Sequence, residues 1–246
     1  MQNSKSCDAQ RARWHAELKL DYQLKSKKTC LAKKSQKGPL TVQRPFYPEG
    51  GICHSYILHP PGGVVGGDIL DIDINAAASA HCLITTPGAT KFYRSKSDLE
   101  SNQTLRINIE KDAVVEWLPQ QNIFFTGACS QLNTEINIQP GGKFIGWEMH
   151  CFGRPANNEG FDQGSIKSCT QININGELRL VEQLNTDGDS LTLSPCGLRK
   201  KSMQASLMAA PFSESQKQKL EQLLLSYLHK DLIGMTLVDE VLVIRV

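Results

Sequence analysis

Residues 14–24 read WHAELKLDYQL and set Trp14, Ala16, Leu18, Leu20, Tyr22 and Leu24 against His15, Glu17, Lys19, Asp21 and Gln23. Side chains on a strand point alternately to opposite faces, so this period of two predicts a half-buried β-strand. The alternation returns at Leu70, Ile72 and Ile74, at Leu105, Ile107 and Ile109, at Ile136 and Ile138, at Ile172 and Ile174, and at Leu178, Leu180 and Leu184. Turn formers separate the runs: Gly38-Pro39, residues 60–67, Pro87-Gly88, Pro140-Gly141-Gly142, Asn175-Gly176 and Asp187-Gly188. The segments DIDIN (71–75), RINIE (106–110), EINIQ (135–139) and QININ (171–175) look related. Their unequal spacing argues against a strict solenoid repeat. The prediction is a mainly β fold of many short strands in stacked sheets, each covering one face of a core.

One helix stands out. Ser213 and Gln216 form a capping-box pattern, Leu220, Leu223, Leu224, Tyr227 and Leu228 follow at helical spacing, and Gly234 is expected to close it. A second, shorter helix is expected over 201–210, carried by Met203, Leu207 and Met208. The final run TLVDEVLVIRV returns to strand character. No linker composition interrupts the chain, so residues 1–246 are expected to form a single domain with a helical insertion.

A chain of 246 residues buries a sizeable core without staples. Its formal net charge is only +2, but Lys19, Lys25, Lys27, Lys28, Lys33, Lys34 and Lys37 crowd one region. Lysines defending a solvated strand edge account for this better than a nucleic-acid surface does. The first residues hold no apolar core of a secretion signal, and no apolar run is long enough for a membrane helix, so a cytoplasmic location is expected. The eight cysteines form no C-x-x-C pair and are expected to be reduced and mostly buried.

Several chemistries fail on spacing. HPPGGVVGGD (59–68) lacks both G-x-G-x-x-G and a G-K-[ST] ending, and it leads into a strand, so no helix N-terminus is there to hold phosphate. Its glycines are expected to make a tight double bend with positive φ at several of them. Cys53-His54, His81-Cys82 and His150-Cys151 are adjacent soft ligands, but neighbours on a strand face opposite ways. No permanent metal site is expected. A transient site assembled from different strands stays open, and imidazole and thiolate both suit nickel.

Two carboxylates stand out of phase. Glu182 shares its face with Leu178, Leu180 and Leu184, and Glu148 lies in KFIGWEMHCFGR, where both faces read as buried. A buried carboxylate is costly unless paired, hydrogen-bonded or set on a polar channel. Arg154, Arg179 and Arg199 are candidate partners, and a functional role is the alternative. A β-rich hydrolase using Glu148 and Glu182 as acid and base is a further reading.

The motifs RWHAELKL (13–20), GPLTVQRPFYPEG (38–50), HPPGGVVGGD, TTPGATKFYRS (85–95), EWLPQQNIFFTGA (116–128), GWEMHCFGRPA (146–156) and LRLVEQL (178–184) together resemble the urease accessory protein D family. That resemblance implies a non-enzymatic scaffold with a β-helix-like superfold of stacked strands and few helices. It implies binding to urease apoprotein, recruitment of accessory protein F and through it the GTPase accessory protein G, and help in bringing nickel to the urease active site. The implied assembly is a hetero-oligomer without nucleic acid or membrane, with no permanently bound cofactor and nickel only in transit. Matched residue by residue, the resemblance implies a nickel route past Asp68, Glu148 and Glu182, with Thr86 and Thr90 lining the passage. Gly62, Gly63, Gly66, Gly67, Pro87 and Gly88 then serve as its structural motif. Two departures stand out: relatives continue beyond the position of Val246 through a helical segment, and many read VERL where this chain has VEQL, leaving Gln183 without a cation beside the acid.

Overall fold

A computed structural model describes residues 14–96, 99–226 and 232–246. The first sheet contains β1 (His15–Lys25), β2 (Lys28–Lys37), β5 (Ile69–Ala76), β8 (Ser101–Ile109), β11 (Ala128–Ile138), β13 (Gly164–Ile174) and β14 (Glu177–Asp187). The second contains β3 (Thr41–Val42), β4 (Cys53–Leu58), β6 (His81–Thr85), β7 (Thr90–Phe92), β9 (Val114–Trp117), β10 (Asn122–Phe124), β12 (Lys143–Phe152), β15 (Met203–Ala210), β16 (Gly234–Val238) and β17 (Val241–Arg245). The chain passes from one sheet to the other and back, from β5 to β6, β8 to β9 and β11 to β12, so successive coils stack as in a β-solenoid.

In the first sheet the order is β14-β13-β11-β8-β5-β1-β2, parallel from β13 to β1 and antiparallel at both edges. The four related segments lie side by side, with Ile74, Ile107, Ile136 and Ile172 in one register row. On the opposite face their asparagines form a ladder: Asn173 donates to Asn137, Asn137 to Asn108, Asn108 to Asn75, and Asn75 to Asp21. Each amide satisfies its neighbour, which fixes register as firmly as the isoleucines do. The ladder residues are 33, 29 and 36 positions apart, because the excursions through the second sheet differ in length. Unequal spacing therefore coexists with regular stacking: the repeat is not strict, and the short strands stack in sheets as expected.

The inward faces of both sheets share one apolar cluster reaching from Ala16 to Val243. Trp14 and Leu24, at the ends of the opening alternation, are exposed, so only Ala16, Leu18, Leu20 and Tyr22 enter that core. The lysine-rich β2 is an edge strand with Lys28, Lys33, Lys34 and Lys37 exposed, as a defended sheet edge requires.

Two local expectations change. Within residues 201–210, expected as a helix, Met203–Ala210 form β15, hydrogen-bonded to β12 on one side and β17 on the other. Two tertiary ladders outweigh the helix propensity of its Met, Ala and Leu residues. The capping box at Ser213 is present and opens a helix, Glu214–Leu224, which follows a single helical turn at Ser190–Leu193. Gly234 begins β16 and does not close the helix. Cys7, Tyr227 and Leu228 lie outside the described residues.

Candidate functional site

The second sheet is interrupted at one level. Strands β6 and β9 pair up to Ile84 and Trp117, and β7 and β10 resume pairing at Thr90 and Asn122. Pro87 and Pro119 fall in the two gaps, and Pro60-Pro61 follow β4 just beyond Leu58. Proline has no N–H for a ladder, so the strands cannot run through. The gaps are tied together: Gln120 N–H donates to Thr86 Oγ1 at 2.9 Å, and the Trp147 indole donates to Pro119 O at 2.7 Å.

Behind this break lies a cavity of about 380 Å³ between the sheets. Its walls are apolar, from Ile57, Leu70, Ile72, Leu105, Trp117 and Leu132, and its rim carries His59, Gly62, Gly63, Thr86 and Thr90 beside Pro87 and Gly88. The HPPGG bend shapes the rim in two ways. Gly62 and Gly67 have φ of +78° and +92°, whereas Gly63 and Gly66 are small because Tyr93 and Ser95 pack against their backbones. Positive φ thus explains two of the four glycines, and close approach the other two.

Glu148 enters this space from β12. Its Oε1 accepts hydrogen bonds from Thr134 at 2.9 Å and Thr170 at 3.0 Å, both on the opposite sheet. Its Oε2 lies 3.9 Å from His150 Nε2. His150 is only 4% exposed, and its Nδ1 is buried with no hydrogen-bond partner. Burial pushes this imidazole below its ordinary pKa of 6.5, against the pull of Glu148.

Glu148 also borders a second, water-sized void of about 10 Å³, whose other walls include His150, Ser168, Thr170, Glu182 and Ser206. Across that void, Glu182 accepts from Ser206 Oγ at 3.4 Å and Arg245 Nε at 2.8 Å, and its second oxygen accepts from Arg245 Nη2. The expected arginines are elsewhere: Arg154 pairs with Glu159 and Arg179 with Glu177. A register shift between Ile172 and Asn173 moves Leu178 opposite Asn173 on the outer face, so Leu180 and Leu184, but not Leu178, flank Glu182 on the inner face. One register row, Leu18-Ile72-Leu105-Thr134-Thr170-Glu182, runs from apolar to polar across the first sheet.

The structure thus brings Glu148, Thr86 and Thr90 to one cavity and Glu148 and Glu182 to one void. It sets Asp68 apart. That carboxylate is 7% exposed, accepts from Val65 N–H at 3.0 Å and Trp14 N–H at 3.4 Å, and clasps the bend to the start of β1. Its charge still reaches the rim: burial lowers the pKa of His59, and Asp68 opposes that shift. Sequence reasoning missed Thr134 and Thr170, although both stand at inward positions of alternating strands, the same out-of-phase signal that marked Glu182. Arg245 carried no such signal.

Chemically, this is a short file of oxygen donors ending at an arginine. Among the described residues no three His, Cys, Asp or Glu side chains gather closely enough to cage a metal ion. His81 is paired with Glu116 at 2.7 Å, and His54 lies 3.8 Å from Glu49. A sugar ring does not fit the void beside Glu148 and Glu182, and Arg245 engages both Glu182 oxygens, which leaves the carboxylate-pair hydrolase without a substrate space between its acid and base.

The chain matches the family model described as UreD urease accessory protein over residues 15–246. The urease accessory protein UreD of Aliivibrio fischeri strain MJ11 is 44% identical over 241 residues, covering 94% of this chain and 84% of the relative. That of Escherichia coli is 44% identical over 236 residues, with the same two coverages of 94% and 84%. That of Alcanivorax borkumensis is 42% identical over 250 residues, covering 100% of this chain and 84% of the relative. These relatives are named as accessory proteins, in keeping with a non-catalytic role. With the match running from the first core strand to Val246, the chain belongs to the UreD family of urease accessory proteins.

Proposed function

We propose that the chain is a cytoplasmic scaffold of urease maturation. It binds the urease apoprotein, recruits accessory protein F and through it the GTPase accessory protein G, and passes nickel through its interior, folding as one domain. The observation that carries the reading is Glu148, a carboxylate held between two sheets by Thr134 and Thr170 and bordering both the cavity and the void. Thr134 and Thr170 satisfy one of its oxygens, while the other is 3.9 Å from His150 and is left to the space between the sheets.

Nickel is cargo here, not a resident cofactor. Carboxylate and hydroxyl oxygens hold a divalent transition ion less tightly than a thiolate cage, so an ion moves from one to the next without being trapped. Thr86 and Thr90 would line the entry, Glu148 and neutral His150 the middle, and Glu182 the far end. Asp68 would act from outside the cavity through His59. The test is replacement of Glu148 by Gln, which keeps shape and removes charge. Assembly with urease apoprotein and accessory protein F should persist while nickel per urease active site falls. Full loading by an intact complex carrying Glu148→Gln would overturn the route, and failure of the unaltered chain to retain urease apoprotein or accessory protein F would overturn the scaffold.

A further inference from the structure

We infer that Arg245 is a gate at the far end of the polar file, an inference that rests on the nickel route proposed above. Arg245 lies near the end of β17, paired in register with Ser206 of β15 and Gly234 of β16. Its guanidinium reaches across from the second sheet to Glu182 on β14, the edge strand of the first. The clamp therefore closes the space between the sheets just where the row of Thr134, Thr170 and Glu182 ends. On its inner side is the water-sized void that Glu148 and His150 share with Glu182.

Two features make this a gate and not merely a clasp. The Arg245 side chain is 49% exposed while that of Glu182 is 15% exposed, so the guanidinium can swing outward without disturbing packed core. Its positive charge also stands directly on Glu182, on the solvent-exposed side of that carboxylate, and like charges at this separation repel strongly away from bulk water. With Arg245 on Glu182 the carboxylate is neutralised and a divalent cation is barred. With Arg245 released, Glu182 keeps Ser206 as a donor and is uncovered at the edge of the sheet, free to receive or deliver the ion. A structural ion pair needs neither the void behind it nor the second carboxylate across it.

The test uses the full chain with nickel chloride as the probe, and reads paramagnetic broadening of the His150 ring resonances. Arg245→Gln should lower the nickel concentration for half-broadening by about tenfold relative to the unaltered chain. Adding Glu148→Gln to that variant should abolish the gain. Arg245→Lys keeps the charge but cannot clamp both oxygens, so it should fall between the two, and it carries the test if Arg245→Gln does not fold. Broadening in Arg245→Gln equal to that of the unaltered chain, or in Arg245→Lys if only that variant folds, overturns the gate. The route has its own readout in nickel loading of urease: loading lost in Glu148→Gln with His150 broadening insensitive to Arg245 sinks the gate alone, and loading unaffected by Glu148→Gln sinks the route.

Discussion

Replacing Thr170 by valine removes one hydroxyl and almost no volume. Thr170 is 2% exposed and gives its single hydroxyl proton to Glu148 Oε1 at 3.0 Å. A hydrogen bond to a carboxylate contributes about 1.5–3 kcal/mol. The new methyl group, in a row whose other members include Leu18, Ile72 and Leu105, returns about 1 kcal/mol. The net cost should be about 0.5–2 kcal/mol, smaller than full loss of the carboxylate's donors because Thr134 keeps its own bond. The assay is urea unfolding, comparing midpoints at constant slope. The same substitution in a Glu148→Gln background should cost about 1 kcal/mol less, since a neutral amide accepts a weaker bond. An unchanged or raised midpoint, or an identical cost in both backgrounds, would refute the claim that Glu148 is held from the opposite sheet.

Stability should also depend on pH through His150. Its folded pKa is depressed by burial below 6.5, so as pH falls through 6.5 the unfolded chain takes up a proton that the folded chain refuses. The contribution is intact above that value and is lost below it, by up to about 1.4 kcal/mol per pH unit. His59 adds a step of the same sign, so His150→Gln should reduce the acid slope without removing it, and a slope untouched by that change would contradict the assignment. At the cavity rim, a Cβ on Gly63 overlaps the Tyr93 ring and lies 2.8 Å from Lys91 O. Gly63→Ala should therefore cost about 1–3 kcal/mol, read as a lowered thermal midpoint, and an unchanged midpoint would mean that the rim yields freely.

Strand alternation made much of this fold legible. Leu18, Ile72, Ile107 and Ile136 announce their inward faces, and the two out-of-phase carboxylates both prove to face the interior. What stayed hidden depended on contacts between distant segments. The asparagine ladder needs four coils in register, which no local window contains. Residues 201–210 look helical locally, and Met203–Ala210 become a strand because β12 and β17 lie on either side. Arginines close in sequence, or on the same strand as a carboxylate, looked like partners, but the one that reaches Glu182 is 63 residues away on β17. Thr134 and Thr170 were legible in principle by the rule that singled out Glu182, since each is a polar residue at an inward position.

The most direct test of the central claim is the nickel content of urease activated by the reconstituted complex, measured with the unaltered chain and with Glu148→Gln at matched assembly. The account predicts that the complex forms with both, and that nickel per active site falls sharply with Glu148→Gln. Equal nickel content from equally assembled complexes would contradict it.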